Sequence, residues 1–308
     1  MTDMGNSPHS PDDKPPAEAG RRMTASHRRR RRVLLVLALG IALYATYAGR
    51  RTPVEPQHGV GISWPEAAQP VAKTPFRVAI YNIRRGKGTD GVRDLSRTAA
   101  VLRGADLIGL NELAGPTLWG RGDHAERLGQ SLGIGWQFAP NQYRWHRYHF
   151  GNGLLSRLEV GRWTSEPLIY ERGKSHSHRN LLKAEVMVAG RPIVFMVTHL
   201  DRGAIRPAQL QHVLDEFVQY NPAILAGDLN TTAADPLLIA FFADSNNVDA
   251  IARALDAADD RGRIDWIITR GLRVLGGGME PVGVSDHPCY WVDVELVDEA
   301  RNEAGTLE

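Results

Sequence analysis

The segment "GVSDHPCYWVDVEL", residues 283–296, carries the pattern that most constrains the fold of this chain. Its second half alternates apolar residues with mainly polar ones, the apolar positions being Tyr290, Val292, Val294 and Leu296. This period of two indicates a β-strand with one buried face. Asp286 and His287 stand just before the strand, so the sequence places a carboxylate and an imidazole at a strand end.

The composition is that of an ordinary globular protein. The chain has 308 residues, of which 43% are hydrophobic and 23% are charged, which is enough for one large domain with additional segments. Its one cysteine, Cys289, excludes an internal disulfide and is predicted to be a buried, inert thiol. Residues 75–308 contain 26 Lys and Arg against 29 Asp and Glu, a net charge of −3. Such a balance argues against extended binding of duplex nucleic acid.

The N-terminal part of the chain is predicted to lie outside the globular domain. Residues 1–32, which are rich in charge and end in five arginines, are predicted to be a disordered basic tail. Residues 33–48 are an uncharged run of 16, slightly shorter than the ~20 residues of a usual membrane span and slightly longer than a typical signal-peptide core. We expect an uncleaved transmembrane signal anchor. The alternatives are a signal peptide cleaved near Ala48 and a buried core helix.

The five arginines also predict the topology of the chain. Positive residues on the N-terminal side of an apolar segment keep that side in the cytoplasm, so the globular domain is expected in the periplasm or on the outer face. Cleavage near Ala48 would instead give a secreted protein. Four prolines make residues 49–74 a predicted linker, which leaves residues 75–298 as the globular domain and 299–308 as a C-terminal tail.

Strand and helix patterns alternate along the predicted domain. Apolar runs that end in polar residues predict buried strands at 76–82, 105–113 and 222–230. Apolar residues spaced by three or four predict helices near 92–103, 124–132, 207–218 and 236–242. Residues 181–188 and 193–200 read as a hairpin, whose strands are antiparallel, so the sheets should be mixed. The pattern predicts a two-sheet core with helices outside it.

Polar residues recur at the ends of these apolar strands. The positions are Asn82, Glu112, His199, Asp228, Asn230, Asp265, Asp286 and His287. One such residue alone is usually structural, but eight that converge would build a cleft of oxygen ligands and imidazoles. Oxygen-rich clusters suit a hard cation such as Mg²⁺, Mn²⁺ or Ca²⁺, and the sequence contains no zinc, Walker or dinucleotide motif. A metal held by carboxylates beside histidines indicates displacement by water at phosphorus.

Seven segments in order strengthen this interpretation. They are "YNIRRG", "LIGLNEL", "GNGLLSR", "VTHLDRG", "ILAGDLN", "RIDWIIT" and "SDHPCYWVDVEL". Together they resemble the endonuclease/exonuclease/phosphatase family, also called DNase I-like, over residues 76–296. The resemblance implies a four-layer α/β/β/α sandwich with two mixed β-sheets.

The resemblance also implies roles for the polar residues. Glu112 resembles the metal-ligating glutamate of the family, Asp286 a second carboxylate on the ligand side, and the cofactor would be Mg²⁺ or Mn²⁺. The implied catalytic residues are Asn82, His199, Asp228, Asn230, Asp265 and His287. His287 would be the base or a phosphate-contacting imidazole that Asp265 orients. Asn111 departs from the family, in which glutamine often precedes the glutamate.

Two segments bear on the substrate. Residues 141–150 interleave arginines with aromatic side chains, and residues 171–180 contain arginine, lysine and histidine. In the family these regions lie near the cleft, so Tyr148 and Arg179 are predicted to bind an anionic substrate; ordinary solvated loops are the alternative. Asn152 of "GNGLLSR" is also predicted to contact the substrate. The predicted function is a nuclease-like phosphodiesterase. The alternatives are a lipid-headgroup or inositol-phosphate phosphatase resembling phospholipase C, which the anchor would hold at the membrane, and a non-catalytic binding module. No obligate protein partner is inferred.

Overall fold

The computed structural model describes residues 25–48, 53, 55–116, 122–143, 149–256 and 262–297. The chain divides into two compact units after Ala45, and the N-terminal unit contains most of a single helix, α1 (Ala25–Ala48). The five arginines that we predicted in a disordered tail lie within this helix. Arginine is a good helix former, so the charged run continues the helix. Among the described residues, no helix combines the length and the hydrophobicity needed to cross a membrane.

The second unit is built of strands and short helices. Its described strands are β1 (Gln57–Val60), β2 (Phe76–Asn82), β3 (Leu107–Ala114), β4 (Gly135–Gln142), β5 (Phe150–Ser156), β6 (Glu159–Pro167), β7 (Asn180–Val188), β8 (Arg191–His199), β9 (Ala223–Asp228), β10 (Val248–Asp249), β11 (Asp265–Arg270), β12 (Leu272–Glu280) and β13 (Cys289–Leu296). Its α-helices are α2 (Leu95–Leu102), α3 (His124–Leu132), α4 (Arg206–Phe217), α5 (Pro236–Phe241) and α6 (Ala250–Leu255). Two 3₁₀ turns, Arg84–Gly86 and Ser175–Ser177, follow or precede strands.

The strands form two mixed sheets. The first sheet has seven strands in the order β1-β6-β7-β8-β9-β11-β10, and the second has six in the order β12-β13-β2-β3-β5-β4. Within the described strands, β2 pairs with β3 and β8 with β9 in parallel, and the other pairings are antiparallel. The prediction of two mixed sheets is confirmed.

The hydrophobic core has three layers, which places the sheets face to face with helices on both outer faces. Val78 and Ile80 of β2 share the central layer with Val197 of β8 and Ala226 of β9. One outer layer packs α2 and α3 against the second sheet, and the other packs α4 and α5 against the first. The predicted α/β/β/α sandwich is therefore confirmed.

One part of the predicted linker is folded. Residues 57–60 form β1 and pair with β6 at the edge of the first sheet. Trp163 packs against Gly59, where a side chain would leave no room for the indole, and its ring nitrogen donates to the carbonyl of Gly61 at 3.0 Å. Edge pairing of this kind uses main-chain N–H and C=O groups. The proline-rich composition of the segment therefore gave no indication of it.

The central layer gives a direct test of the packing. Ile80→Ala removes a fully buried side chain between the sheets, and we expect it to lower the free energy of unfolding by about 2–5 kcal/mol because a cavity remains. Ile239→Ala, at a helical position that is 60% exposed, is the matched control and should cost less than about 0.5 kcal/mol. Urea unfolding of both variants measures the difference. Equal losses would contradict the placement of Ile80.

Candidate active site

Strand register brings the predicted residues to one edge of the sandwich. In the second sheet, Asn82 at the end of β2 pairs with Asn111, directly before Glu112. In the first sheet, Asp228 at the end of β9 lies between His199 on β8 and Asp265 on β11. The parallel pairs end at the same edge of their sheets, which is why side chains far apart in sequence meet there.

The two sheets meet through side chains at this edge. Asn82 Nδ2 donates a hydrogen bond to Asp228 Oδ2 at 3.1 Å, and it lies 3.4 Å from His287 Nε2. Ser285 Oγ donates to the main-chain oxygen of Asn82 at 2.7 Å and so fixes the end of β2. The role of Ser285 in holding Asn82 was not predicted from the sequence.

His287 and Asp265 form a buried pair. Nδ1 of His287 lies 2.7 Å from Asp265 Oδ2, which leaves Nε2 directed toward Asp228 at 3.7 Å. Burial lowers the pKa of His287, but the hydrogen bond to Asp265 and the charges of the nearby carboxylates outweigh it and raise the pKa to about 9. The pair therefore has the geometry of an imidazole oriented by a carboxylate.

Asp228 is a fully buried carboxylate. Burial, with the charge of Asp265, raises its pKa to about 6, although His287 and the hydrogen bonds from Asn230 and Asn82 oppose this. The main-chain N–H of Asn230 donates to Asp228 Oδ1 at 3.0 Å. Asn230 has a left-handed backbone, with φ of 49°, which folds the chain back onto the carboxylate.

His199 is buried beside Asp228. Its Nε2 lies 3.4 Å from Asp228 Oδ2, yet neither ring nitrogen has a hydrogen-bond partner among the described residues. Burial and the positive charge of Arg179 lower the pKa of His199 well below its ordinary value, so the imidazole is neutral. A buried ring with two unpaired nitrogens is a group that a ligand can satisfy.

Glu112 is held in an unusual backbone conformation. Its φ is 58°, and the pairing of β3 with β5 shifts between Leu110 and Leu113. A non-glycine residue in this left-handed region at a bulge is typical of functional sites. Burial lowers the pKa of Arg179, and the negative charges of Asp201, Asp228 and Glu112 oppose this shift.

Three predicted residues are not in this cluster. Asp286 is half-exposed, and its Oδ2 lies 3.1 Å from Nε of Arg84, which the turn after β2 directs toward it. Asn152 is buried, and its amide is used in hydrogen bonds with other asparagines. Tyr148 lies outside the described residues. Their predicted roles stay predictions.

A buried chain of asparagines supports the cluster from below, and sequence reasoning missed it. Asn111 Oδ1 accepts from the main-chain N–H of Asp228 at 2.8 Å, and its Nδ2 donates to Asn152 at 2.9 Å and to the carbonyl of Thr198 at 3.0 Å. Asn152 in turn donates to Asn180 Oδ1 at 2.7 Å. The chain links both sheets, and the signal for it was a buried asparagine in each of three apolar strands.

The donor set fits a hard divalent cation. Asp228, Asp265 and His287 offer ligand atoms within 4.8 Å of one another, but Asp265 is already committed to the His287 ring. Glu112, the ligand that the sequence analysis expects, lies outside this group of three, and no hydrogen bond to another described residue uses its oxygens. Oxygen donors from Glu112 and Asp228 are those that Mg²⁺ and Mn²⁺ prefer.

Comparison with known proteins agrees with this geometry. An endonuclease/exonuclease/phosphatase from Beutenbergia cavernae DSM 12333 is similar, with 25% identity and a TM-score of 0.59, over 73% of this chain and 72% of that one. A family protein from Bacteroides thetaiotaomicron is 17% identical with a TM-score of 0.55, over 76% and 98%. D. rerio TDP2 in complex with a single strand DNA product is 18% identical with a TM-score of 0.52, over 72% and 100%. No curated protein matches the chain.

The model of one protein family covers most of the folded domain. It matches residues 79–287, which include every polar strand end from Asn82 to His287, and it is described as the Endonuclease/Exonuclease/phosphatase family. The chain is therefore a member of the endonuclease/exonuclease/phosphatase family.

Proposed function

We propose that this protein is a divalent-metal-dependent phosphodiesterase of nuclease type, which hydrolyses a phosphodiester by attack of water. Members of its family are in general hydrolases of phosphate esters. The observation that carries the proposal is the contact of Asn82, Asp228 and the Asp265–His287 pair across the two sheets. A hydrogen-bonded imidazole, a buried carboxylate and an amide at one point are the groups that proton transfer and phosphate binding require.

Different residues of the site have different roles in the hydrolysis. Glu112 and Asp228 would hold a divalent cation, which when bound neutralises phosphate oxygens and lowers the pKa of water. Asp228 and Asn230 position the attacking water, and Asn82 and His199 bind phosphate oxygens. The water oxygen forms a bond to phosphorus as the ester bond breaks. The water proton passes to a carboxylate, and His287, which is an imidazolium at neutral pH because its pKa is raised to about 9, donates a proton to the leaving oxygen.

Asp265 and Arg179 assist the hydrolysis without taking part in bond formation or cleavage. Asp265 binds Nδ1 of His287 at 2.7 Å and so keeps Nε2 directed at the site. Arg179 is about nine-tenths buried, its Nε has no hydrogen-bond partner among the described residues, and it stands near Glu112 and Asp228. A guanidinium in that position supports an anionic substrate.

A substrate panel tests the proposal. Plasmid DNA, RNA oligomers, sphingomyelin and inositol phosphates are incubated with the protein in Mg²⁺ or in EDTA. We expect hydrolysis of a nucleic acid in Mg²⁺ and none in EDTA. The solved complex of D. rerio TDP2 with a single strand DNA product makes single strands the first choice. Hydrolysis of a lipid headgroup or an inositol phosphate alone would replace the proposal with the phosphatase alternative.

Removal of either central side chain should abolish turnover. His287→Ala and Asp228→Asn each remove a group placed for proton transfer, and we expect kcat to fall by about 10²–10⁴-fold. His212→Ala and Asp215→Asn, both exposed on α4, are matched controls that should retain wild-type rates. Circular dichroism checks folding. Normal hydrolysis by either central variant would contradict the assigned site.

The role of Glu112 predicts a change in metal dependence. Glu112→Gln retains the size of the side chain but removes a charged ligand, so the Mg²⁺ concentration for half-maximal activity should rise about tenfold or more. The exposed control Glu159→Gln should titrate like the wild type. A Mg²⁺ titration of initial rates measures both. An unchanged curve for Glu112→Gln would exclude it as a ligand.

The asparagine chain predicts a positioning effect. Asn111→Ala leaves the main-chain N–H of Asp228 and the carbonyl of Thr198 without their partner, which costs about 1–3 kcal/mol of stability per buried group. We expect kcat to fall while KM changes little, because Asp228 moves and the substrate contacts remain. Exposed Asn246→Ala is the control. A fall in stability with unchanged kcat would limit Asn111 to a structural role.

A further inference from the structure

A segment that precedes the family domain is folded onto both sheets. The family match begins at residue 79, yet β1 pairs with β6 and forms an edge of the first sheet. Three residues after β1, Ser63 pairs with Trp136 of β4 in the second sheet, through main-chain hydrogen bonds of 3.1 and 2.8 Å. Residues 57–64, here called the N-terminal strap, therefore cross from the first sheet to the second.

Close packing fixes the position of the N-terminal strap. Ile62 packs against the central layer of the core. Both Ile62 and Trp64 lie against Gly135, the first residue of β4, so closely that a side chain at Gly135 would come within 2.7 Å of each. A segment held this tightly can hold other groups in place, because its own side chains start from fixed positions.

The side chain of Gln57 connects the strap to the second sheet. Gln57 is the first residue of β1 and is half-buried, and its Nε2 donates a hydrogen bond to the hydroxyl of Tyr143. Tyr143 directly follows β4. Because β4 and β3 both pair antiparallel with β5, they run in the same direction, and Tyr143 lies at the end of the sheet where Glu112 is found.

Further contacts lead from Tyr143 to the strand that carries Glu112. The rings of Tyr143 and His149 meet edge to face, with their centroids 5.0 Å apart. The main-chain oxygen of His149 accepts a hydrogen bond from the N–H of Gly115 at 2.7 Å. A Cβ at Gly115 would lie 2.7 Å from the Cβ of His149, so the two main chains approach closely. Gly115 comes directly after β3, three residues beyond Glu112.

The orientation of Glu112 depends on the main chain that follows it. Regular pairing of β3 with β5 stops after Leu110 and resumes at Leu113, and Glu112 lies between them with φ of 58°. A bulge directs its side chain only while the pairing on both sides of it holds, and a left-handed non-glycine residue persists where its surroundings fix it. The hydrogen bond to His149 extends this pairing beyond the bulge.

We propose that Gln57 is a positioning residue for Glu112. Its hydrogen bond holds Tyr143 against His149, which in turn holds the main chain beyond the bulge. The inference rests on the proposed function, in which Glu112 binds a divalent cation, and extends it to a residue outside the family match. The segment between α1 and the family domain thus contributes to metal binding and is more than a spacer.

Binding of Mn²⁺ to the full chain, without substrate, tests the inference. The electron paramagnetic resonance signal of the free ion gives the dissociation constant. Gln57→Leu is similar in size but lacks the hydrogen bond, and the constant should rise about threefold to tenfold, the equivalent of one hydrogen bond. His58→Ala is the matched control, because His58 is the next residue of β1 and is exposed, and it should leave the constant unchanged.

A second variant removes the same hydrogen bond from its other end. Tyr143→Phe keeps the ring against His149 and should raise the constant as Gln57→Leu does, and it decides the matter if Gln57→Leu does not fold. The double variant should bind Mn²⁺ no more weakly than either single variant, because the two substitutions remove one shared contact. Additive rises would show independent effects and would contradict the proposed connection.

The outcomes separate this inference from the proposed function. Urea unfolding of each variant measures stability, and a loss of stability with an unchanged Mn²⁺ constant would limit Gln57 to a structural role and leave the phosphodiesterase proposal standing. Equal rises in Gln57→Leu and His58→Ala would also overturn the inference, because the whole of β1 would then be responsible. A wild type that does not bind Mn²⁺, or a constant that Glu112→Gln leaves unchanged, would overturn the metal role of Glu112 and the inference with it.

Discussion

The buried carboxylate of Asp228 is the constraint on which the rest of the site depends. A carboxylate removed from water costs several kcal/mol unless other groups satisfy it. Here Asn82 reaches it from the second sheet, Asn230 from the following turn and His287 from the entrance of β13. These contacts require β2 and β9 to end at the same level. The need to satisfy the Asp228 carboxylate therefore constrains the relative position of the two sheets.

The same constraint explains what the sequence can predict. Asn82, Asp228 and His199 each end an apolar run, and strands that end at a common edge bring their last residues together. Direction and register are therefore enough to predict a cluster. The sequence cannot show that Asn111 bridges the sheets, because an asparagine in an apolar run is equally compatible with a solvent-facing strand end. Nor does it show that Arg84 turns back to contact Asp286, since this depends on a left-handed turn that arginine rarely adopts.

The unusual backbone conformations explain why the site is less predictable than the fold. Four non-glycine residues at or near this edge, Arg84, Arg85, Glu112 and Asn230, have positive φ values. Propensity argues against three of them, because glutamate and arginine disfavour this region. They are held by contacts that only the complete fold supplies, such as the ion pair of Arg84 with Asp286. Local residue propensities predict the strands, whereas tertiary contacts determine the turns that orient the catalytic side chains.

The distribution of charge, more than its sum, decides which substrates the cleft can accept. Residues 75–308 have a net charge of −3, so a long polyanion lying across the domain meets repulsion over much of the surface. Arg179, whose charge interacts with those of Asp228 and Glu112, instead places positive charge at the edge where the two sheets meet. A short or single-stranded diester that enters only the cleft gains this attraction and avoids most of the repulsion. Under the proposed function, the acidic surface and the positive charge at this edge together favour a substrate with few phosphates, all of them close to Asp228.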